Sequence, residues 1–151
     1  MRPSHKPTFG RLFREPHRIY LDWQYRALAA RGFPDIRIAH SAVFRSIAPD
    51  GSRLTDLAAL AGMTKQSMAY LVGQLVGFGY LTLSDDPGDG RARLVRLTER
   101  GRRFMAAAQD LSERYEAHVA HLLGREDARQ LRALLERLLT ALESEPEPRR
   151  R

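Results

Sequence analysis

Two short clusters of side chains have the types and spacing to grip a polyanion. The first is Lys65-Gln66-Ser67, with Tyr70 and Gln74 following at helical spacing, so that all five share the outer face of a helix beginning after Thr64. Small polar groups at such a helix start admit close approach, and the unpaired N–H groups there favour a phosphate. Gln66 suits a bidentate pair with adenine, and Lys65 reaches guanine or a phosphate. The second cluster is Asp89-Gly90-Arg91, with Arg93 two residues on. Gly88 and Gly90 permit a tight turn there, and Asp89 can pair with or orient Arg91. A guanidinium on such a tip suits a narrow minor groove, while Arg93, with Arg96 as a further candidate, suits phosphate contacts along the strand.

Other chemistry is harder to assemble. His118 and His121, three residues apart near Glu116, could ligate a metal with His40 joining from another helix, but nothing fixes a third or fourth ligand. No metal and no cofactor is therefore assigned. Ser41, Ser46, Ser52 and Ser67 sit in no nucleophile elbow, and the chain has no Gly-rich phosphate loop or H-E-x-x-H pattern. Asp85 and Asp86 are expected on an exposed turn without a pocket, which argues against a paired-carboxylate site. The chain reads as a non-enzyme. Its lack of cysteine excludes disulfides, thiolate nucleophiles, cysteine-ligated zinc and thiol redox sensing.

Charge is distributed in keeping with those clusters. The 151 residues carry a formal net charge of +7. Residues 1–31 hold seven Lys/Arg against two acids, and 52–103 hold eight against five, whereas 104–151 hold eight against nine. The excess lies in the first two-thirds, as expected for a polyanion partner. No apolar run approaches the ~18 residues of a membrane span, and the basic N-terminus lacks the apolar stretch of a secretory signal, so a cytoplasmic protein without membrane attachment is expected.

Helices and one hairpin must position the two clusters. Phe9–Phe13 reads as a helical lead-in, and Pro16 suits the first turn of a longer helix reaching about Arg31, with Ile19, Tyr20, Trp23, Ala27 and Ala30 inward. A second helix is expected over about Ile36–Ala48, with Ala39, Val43, Phe44 and Ile47 inward. Arg53-Leu54 suits a short strand, and Thr55 an N-cap for Asp56–Ala61. Gly62 breaks that helix, and Thr64 caps the next, Lys65 to about Phe78, whose inner stripe is Met68, Leu71, Val72, Leu75 and Val76. After Gly79, Tyr80–Ser84 and Arg91–Leu97 form strands joined by a turn over Asp85–Gly90. Thr98 caps a long helix to about Leu123 carrying Phe104, Ala108, Leu111, Tyr115, Val119 and Leu122 on one side. A last helix, about Glu126–Leu142, lines up Leu131, Leu134, Leu135, Leu138, Leu139 and Leu142.

Short helix, tight turn, second helix with a polar outer face, then a basic-tipped hairpin is the order of a winged helix-turn-helix. The fold class expected is mainly α with a small β-hairpin wing (α+β). Its parts are supporting helices over 9–48, a DNA-binding core over 52–98, helices over 99–142, and a disordered tail over 143–151. The wide leucine stripe of the last helix and the aromatic stripe of the first exceed what one short chain can cover. A single half-site also offers little base contact, and both points favour a homodimer.

Residues 52–103 resemble the core of the MarR family of bacterial winged-helix regulators. The matching pieces are Leu57-Ala58, the helix start Thr64-Lys65-Gln66-Ser67, Gly79-Tyr80-Leu81, the D-P-x-D-x-R wing of Asp86–Arg91, and Leu97-Thr98-x-x-Gly101. Flanking helices extend the likeness over most of residues 9–142. The resemblance implies a homodimer built from the N- and C-terminal helices, bound to a pseudo-palindromic duplex DNA operator. It implies a repressor released by a small-molecule effector, with Lys65, Gln66, Ser67 and Tyr70 facing the major groove and Arg91 the minor groove. It also places Tyr20, Trp23, Arg26, His40 and Phe44 along an effector crevice. Two other classes stay open on the residues alone. A winged-helix protein-interaction module would show an acidic or apolar outer face, and a non-specific DNA-binding protein would show no preferred site.

Overall fold

The computed structural model describes residues 6–86 and 88–145, with the side chains of residues 89–91 lying outside the description. The elements in order are α1 (Phe9–Ala30), a 3-10 turn (Ile38–His40), α2 (Ser41–Ser46), β1 (Ser52–Arg53), α3 (Leu54–Leu60), α4 (Lys65–Gly77), β2 (Leu81–Asp86), β3 (Asp89–Leu97), α5 (Glu99–Leu123) and α6 (Arg125–Ser144). The three strands form one antiparallel sheet in the order β1-β3-β2. This is the α+β winged helix expected from the pattern. Among the described residues, no helix is long and apolar enough to cross a membrane.

The chain forms two compact units, one up to Leu111 and one from Ser112 onward. The first contains the core. Leu28, Val43, Leu57, Met68, Leu75, Tyr80 and Val95 are almost completely buried. Around Tyr80 the rings of Phe33, Phe44 and Phe104 stand 5.8–6.3 Å from its own, in tilted or edge-on arrangements that suit aromatic quadrupoles. Val43, Phe44, Met68, Leu71, Val72, Leu75, Phe104 and Leu111 are buried as the helical periodicity predicts. In the second unit no described residue of α6 is buried, and its six stripe leucines are all exposed.

Several expectations need correction. Pro16 lies inside one continuous helix rather than in the first turn of a second one. Thr8 caps that helix, accepting from the Arg11 N–H at 3.4 Å, and Pro16 forfeits one backbone bond on an exposed stretch that continues on either side. On α1 the buried residue is Leu28, whereas Ile19 and Ala30 are exposed. The expected helix over Ile36–Ala48 is shorter and opens as a 3-10 turn. The tighter winding of that turn carries His40 inward and leaves Ala39 exposed. The strand expected at Arg53-Leu54 is Ser52–Arg53, and α3 begins directly at Leu54, so Arg53 and not Thr55 precedes it. Pairing of Arg53 with Leu94 ends the strand, and the chain turns at once into the helix. The hairpin is longer than expected: β2 reaches Asp86 and β3 starts at Asp89, which puts Asp85 and Asp86 in a strand and not on an exposed turn. α6 runs through Ser144, so Glu143 and Ser144 are helical and not part of a disordered tail, of which residues 146–151 lie outside the described residues.

Candidate nucleic-acid interface

The outer face of α4 starts from its cap. Thr64 is extended, and its Oγ1 accepts from the Ser67 N–H at 3.1 Å while lying 2.9 Å from the Ser67 hydroxyl. Such a cap satisfies one orphan donor of the first turn and leaves the other N–H groups pointing outward. Gly62, at φ +62°, makes the tight turn from α3 that a side chain would strain. Lys65, Gln66, Ser67 and Tyr70 are all exposed, and Tyr70 keeps 67% of its surface open to solvent. Neither Lys65 nor Gln66 has a side-chain hydrogen bond or ion pair to another described residue. Gln66, Ser67 and Tyr70 line one shallow hollow with Ala39, Met63 and Leu71. Buried Met68, Leu71, Val72 and Leu75 fix the opposite face of the helix in the core, so the polar face cannot rotate away.

Gln74, expected on the same outer face, is half-buried and engaged within the chain. Its Oε1 lies 3.1 Å from His40 Nε2, and its Nε2 donates to the Tyr70 hydroxyl at 3.1 Å. His40 is itself buried, edge-on to Phe78, with Nδ1 accepting from the Arg37 N–H at 3.1 Å.

The wing is anchored beside its turn. Asp86 Oδ2 accepts from Arg53 Nε at 2.7 Å and Nη2 at 2.6 Å, and Oδ1 accepts from the Gly88 N–H at 2.8 Å. The Gly88 bond, then the Arg53 guanidinium, hold this carboxyl below the usual aspartate range. A register shift between Asp85 and Asp86 lets Asp86 pair with Asp89 across the turn. Arg93 is exposed on β3, opposite Asp85. Arg91 belongs to the same strand, but its side chain and that of Asp89 lie outside the described residues. Arg96 departs from the expected outward run of phosphate ligands. It is half-buried, and its Cγ occupies the space a Cβ on Gly51 would need, 2.8 Å away.

The five residues expected along an effector crevice differ in burial. Tyr20 and Trp23 are half-buried on α1, while Arg26 is exposed and donates from Nε to the Asp22 carbonyl at 3.0 Å. Phe44 is a core ring 4.5 Å from Phe104, and His40 belongs to the network just described. A surface hollow does include Arg26, together with Leu21, Asp22, Tyr25, Ile36 and Arg37. His118 and His121 are exposed, and the described residues contain no group of three His, Cys, Asp or Glu able to hold a metal ion.

Sequence reasoning missed the wing anchor and the Tyr80 contacts with Arg100. Arg100 Nη2 donates to Asp35 Oδ2 at 2.8 Å and to the Tyr80 hydroxyl at 3.1 Å, with its guanidinium 4.5 Å from the Tyr80 ring centre. Arg53 and Asp86 lie 33 positions apart, and no local spacing links them.

No family model matches the chain. It is 27% identical over 119 residues to the transcriptional regulator HosA of Escherichia coli O111:H-, a match covering 78% of this chain and 88% of that protein. The crystal structure of transcriptional regulator Tm0710 from Thermotoga maritima is 26% identical, with a TM-score of 0.64 over 89% of this chain and 94% of that one. The fold is shared more widely: the Staphylococcus aureus MepR–DNA complex superimposes with a TM-score of 0.68 over 90% of this chain and 99% of MepR, at 20% identity.

Proposed function

From the premise that this chain has the fold of the MarR family of winged helix-turn-helix regulators, we propose that it is a sequence-specific, DNA-binding regulator of transcription. The observation that carries this reading is the capped, exposed start of α4, where Lys65 and Gln66 face outward with no partner among the described residues. In this reading α4 enters the major groove, Gln66 contacts a base edge, and Thr64, Lys65, Ser67 and Tyr70 hold phosphates or neighbouring bases. The hairpin over 85–93 reaches the adjacent minor groove with Arg91, oriented by Asp89, while Arg93 lies against the backbone.

The regulator acts as a homodimer on a pseudo-palindromic operator. Support comes from α6, whose leucines 131, 134, 135, 138, 139 and 142 keep 39–58% of their surface exposed. So large an apolar stripe calls for a partner surface. Bound at a promoter, such a dimer represses, and a small ligand releases it. Tyr20, Trp23 and Arg26 on α1 are the crevice residues best placed to meet that ligand, because His40 and Phe44 are covered.

Selection of bound fragments from a random duplex library tests the reading. The wild-type chain should enrich an inverted repeat with half-sites about 10 base pairs apart. Gln66→Ala should relax preference at one operator position by about 1–3 kcal/mol. Arg91→Ala should weaken binding to every sequence and lower the salt slope by roughly one unit. Binding without any enriched motif would leave a non-specific DNA-binding protein. No binding would point to a protein-interaction module.

A further inference from the structure

We propose that His40 is a positioning residue for DNA contact, acting through Gln74 on the Tyr70 hydroxyl. The proposal rests on the DNA-binding reading above and assigns a role to a buried side chain that never meets the duplex. His40 keeps only 2% of its surface exposed. Both of its ring nitrogens are engaged, Nδ1 by the Arg37 N–H at 3.1 Å and Nε2 by Gln74 Oε1 at 3.1 Å.

The direction of the chain follows from donor and acceptor identity. A backbone N–H can only donate, so Nδ1 must accept and carries no proton. The neutral imidazole then holds its proton on Nε2, and Nε2–H donates to Gln74 Oε1. That fixes the Gln74 amide, whose Nε2 donates to the Tyr70 oxygen at 3.1 Å. With its oxygen occupied by an incoming N–H, the exposed tyrosine directs its own O–H outward, one helical turn beyond Gln66. Every link has its polarity set by the one before it, beginning at a backbone amide in the turn preceding α2. The surface of α4 thereby presents a held hydrogen-bond donor instead of a rotating hydroxyl. Holding a long side chain in place before binding reduces the ordering cost at the interface. The matching partner is a hydrogen-bond acceptor on the duplex, either a phosphate oxygen or a base edge.

Double-mutant cycles on duplex affinity test the coupling. Tyr70→Phe should cost roughly tenfold, the value of one hydrogen bond at an interface. His40→Phe retains a ring of similar size in the core and should cost a comparable factor, and the double variant should lose no more than either single one. Against Lys65→Ala, which lies outside the relay, the His40→Phe loss should multiply in full. Equal coupling to both partners would mean that His40 merely seats the helix, and full multiplication with Tyr70→Phe would mean that no relay exists. If His40→Phe does not fold, Gln74→Met breaks the chain in its middle and enters the same cycles. A Tyr70→Phe loss spread over all sequences identifies a phosphate acceptor, and a loss at one operator position identifies a base. Independently of DNA, ring-nitrogen chemical shifts of His40 should report the Nε2–H tautomer, and an Nδ1–H tautomer overturns the relay. A wild-type chain that selects no sequence overturns the functional reading and His40's part in it. A selecting wild type whose His40 and Tyr70 losses multiply overturns the relay alone.

Discussion

Replacing Gly101 by alanine should destabilise the fold, although alanine is the better helix former. Gly101 is in the first turn of α5, where the added methyl alone would favour the helix by about 1 kcal/mol. A Cβ there would fall on the Tyr80 carbonyl oxygen and also meet Leu97 Cδ2 at 3.0 Å and the Tyr80 carbonyl carbon at 3.2 Å. The carbonyl cannot retreat cheaply. It accepts from the Thr98 N–H at 3.0 Å, and the Thr98 hydroxyl sits 3.0 Å from it while lying 2.6 Å from the Gly79 carbonyl. Relief therefore requires α5 to lift from the sheet. Overpacking costs about 1–3 kcal/mol, and one loosened hydrogen bond costs about 1 more. After the propensity gain, the net loss is about 1–3 kcal/mol, or a fall in Tm of roughly 2–12 °C for a chain of this size. Gly73 supplies the opposite control. It is helical and exposed, and a Cβ there meets no atom beyond its own helix within 4 Å, so Gly73→Ala should stabilise by about 0.5–1 kcal/mol. Urea unfolding of both variants beside the wild type gives the two signs in one experiment. A Gly101→Ala protein as stable as Gly73→Ala would refute the close-approach argument.

Loss of the α4 cap should unsettle the start of that helix before it threatens the fold. Thr64→Ala removes the acceptor for the Ser67 N–H and should cost about 1 kcal/mol, with hydrogen exchange rising first at Lys65–Ser67; exchange unchanged there would rule out the cap. The Asp86 anchor carries a pH dependence of definite sign. Its carboxyl is held low by the Gly88 N–H and then by Arg53, so the contact is fully present above the unfolded-state value of about 3.9 and is lost as pH falls through the lower folded-state value. The Gly88 amide shift should accordingly titrate below the ordinary aspartate range and become flat in Asp86→Asn. A midpoint at or above that range would contradict the anchor.

The local chemistry of caps and stripes was legible in the residues. Thr64 and Thr98 each precede a helix as expected, and each accepts from the N–H three residues on. The inner stripe of α4 is buried as its spacing predicts, because packing there reinforces the helical period. Misreadings arose where a tertiary partner overrides a local signal. Pro16 usually marks a helix start, yet the Thr8 cap had already begun the helix. Asp86 reads as turn chemistry, and only its distant Arg53 partner draws it into a strand. Gln74 has the spacing of a surface reader, but the 3-10 turn brings His40 against it, and no periodicity announces that turn. For the proposed interface itself, residue types and spacing point to the face of α4, while the bonds of Gln74 to His40 and Tyr70 depend on a partner 34 positions away that no local pattern marks.

The joint between α4 and the wing carries the last step of the reasoning. Only Phe78, Gly79 and Tyr80 separate the helix from β2, and the Gly79 and Tyr80 N–H groups return to the carbonyls of Val76 and Leu75 at 3.0 and 2.9 Å. Tyr80 then binds in four directions. Its N–H holds α4, its carbonyl holds Thr98 at the end of β3, its ring packs on Phe44 and Phe104, and its hydroxyl accepts from Arg100. At the other end of the hairpin, Arg53 beside α3 grips Asp86. Both ends of the wing are thus bonded to the helix-turn-helix they accompany, and a displacement of one must strain the other. In a duplex the separation between a major-groove contact and the next minor groove is set by the helix itself. A protein that reads both must hold its two elements at a matching distance before it binds, since ordering them afterwards would cost affinity. In the proposed complex the buried tyrosine, the close glycine and the paired aspartate would meet that requirement without touching DNA themselves.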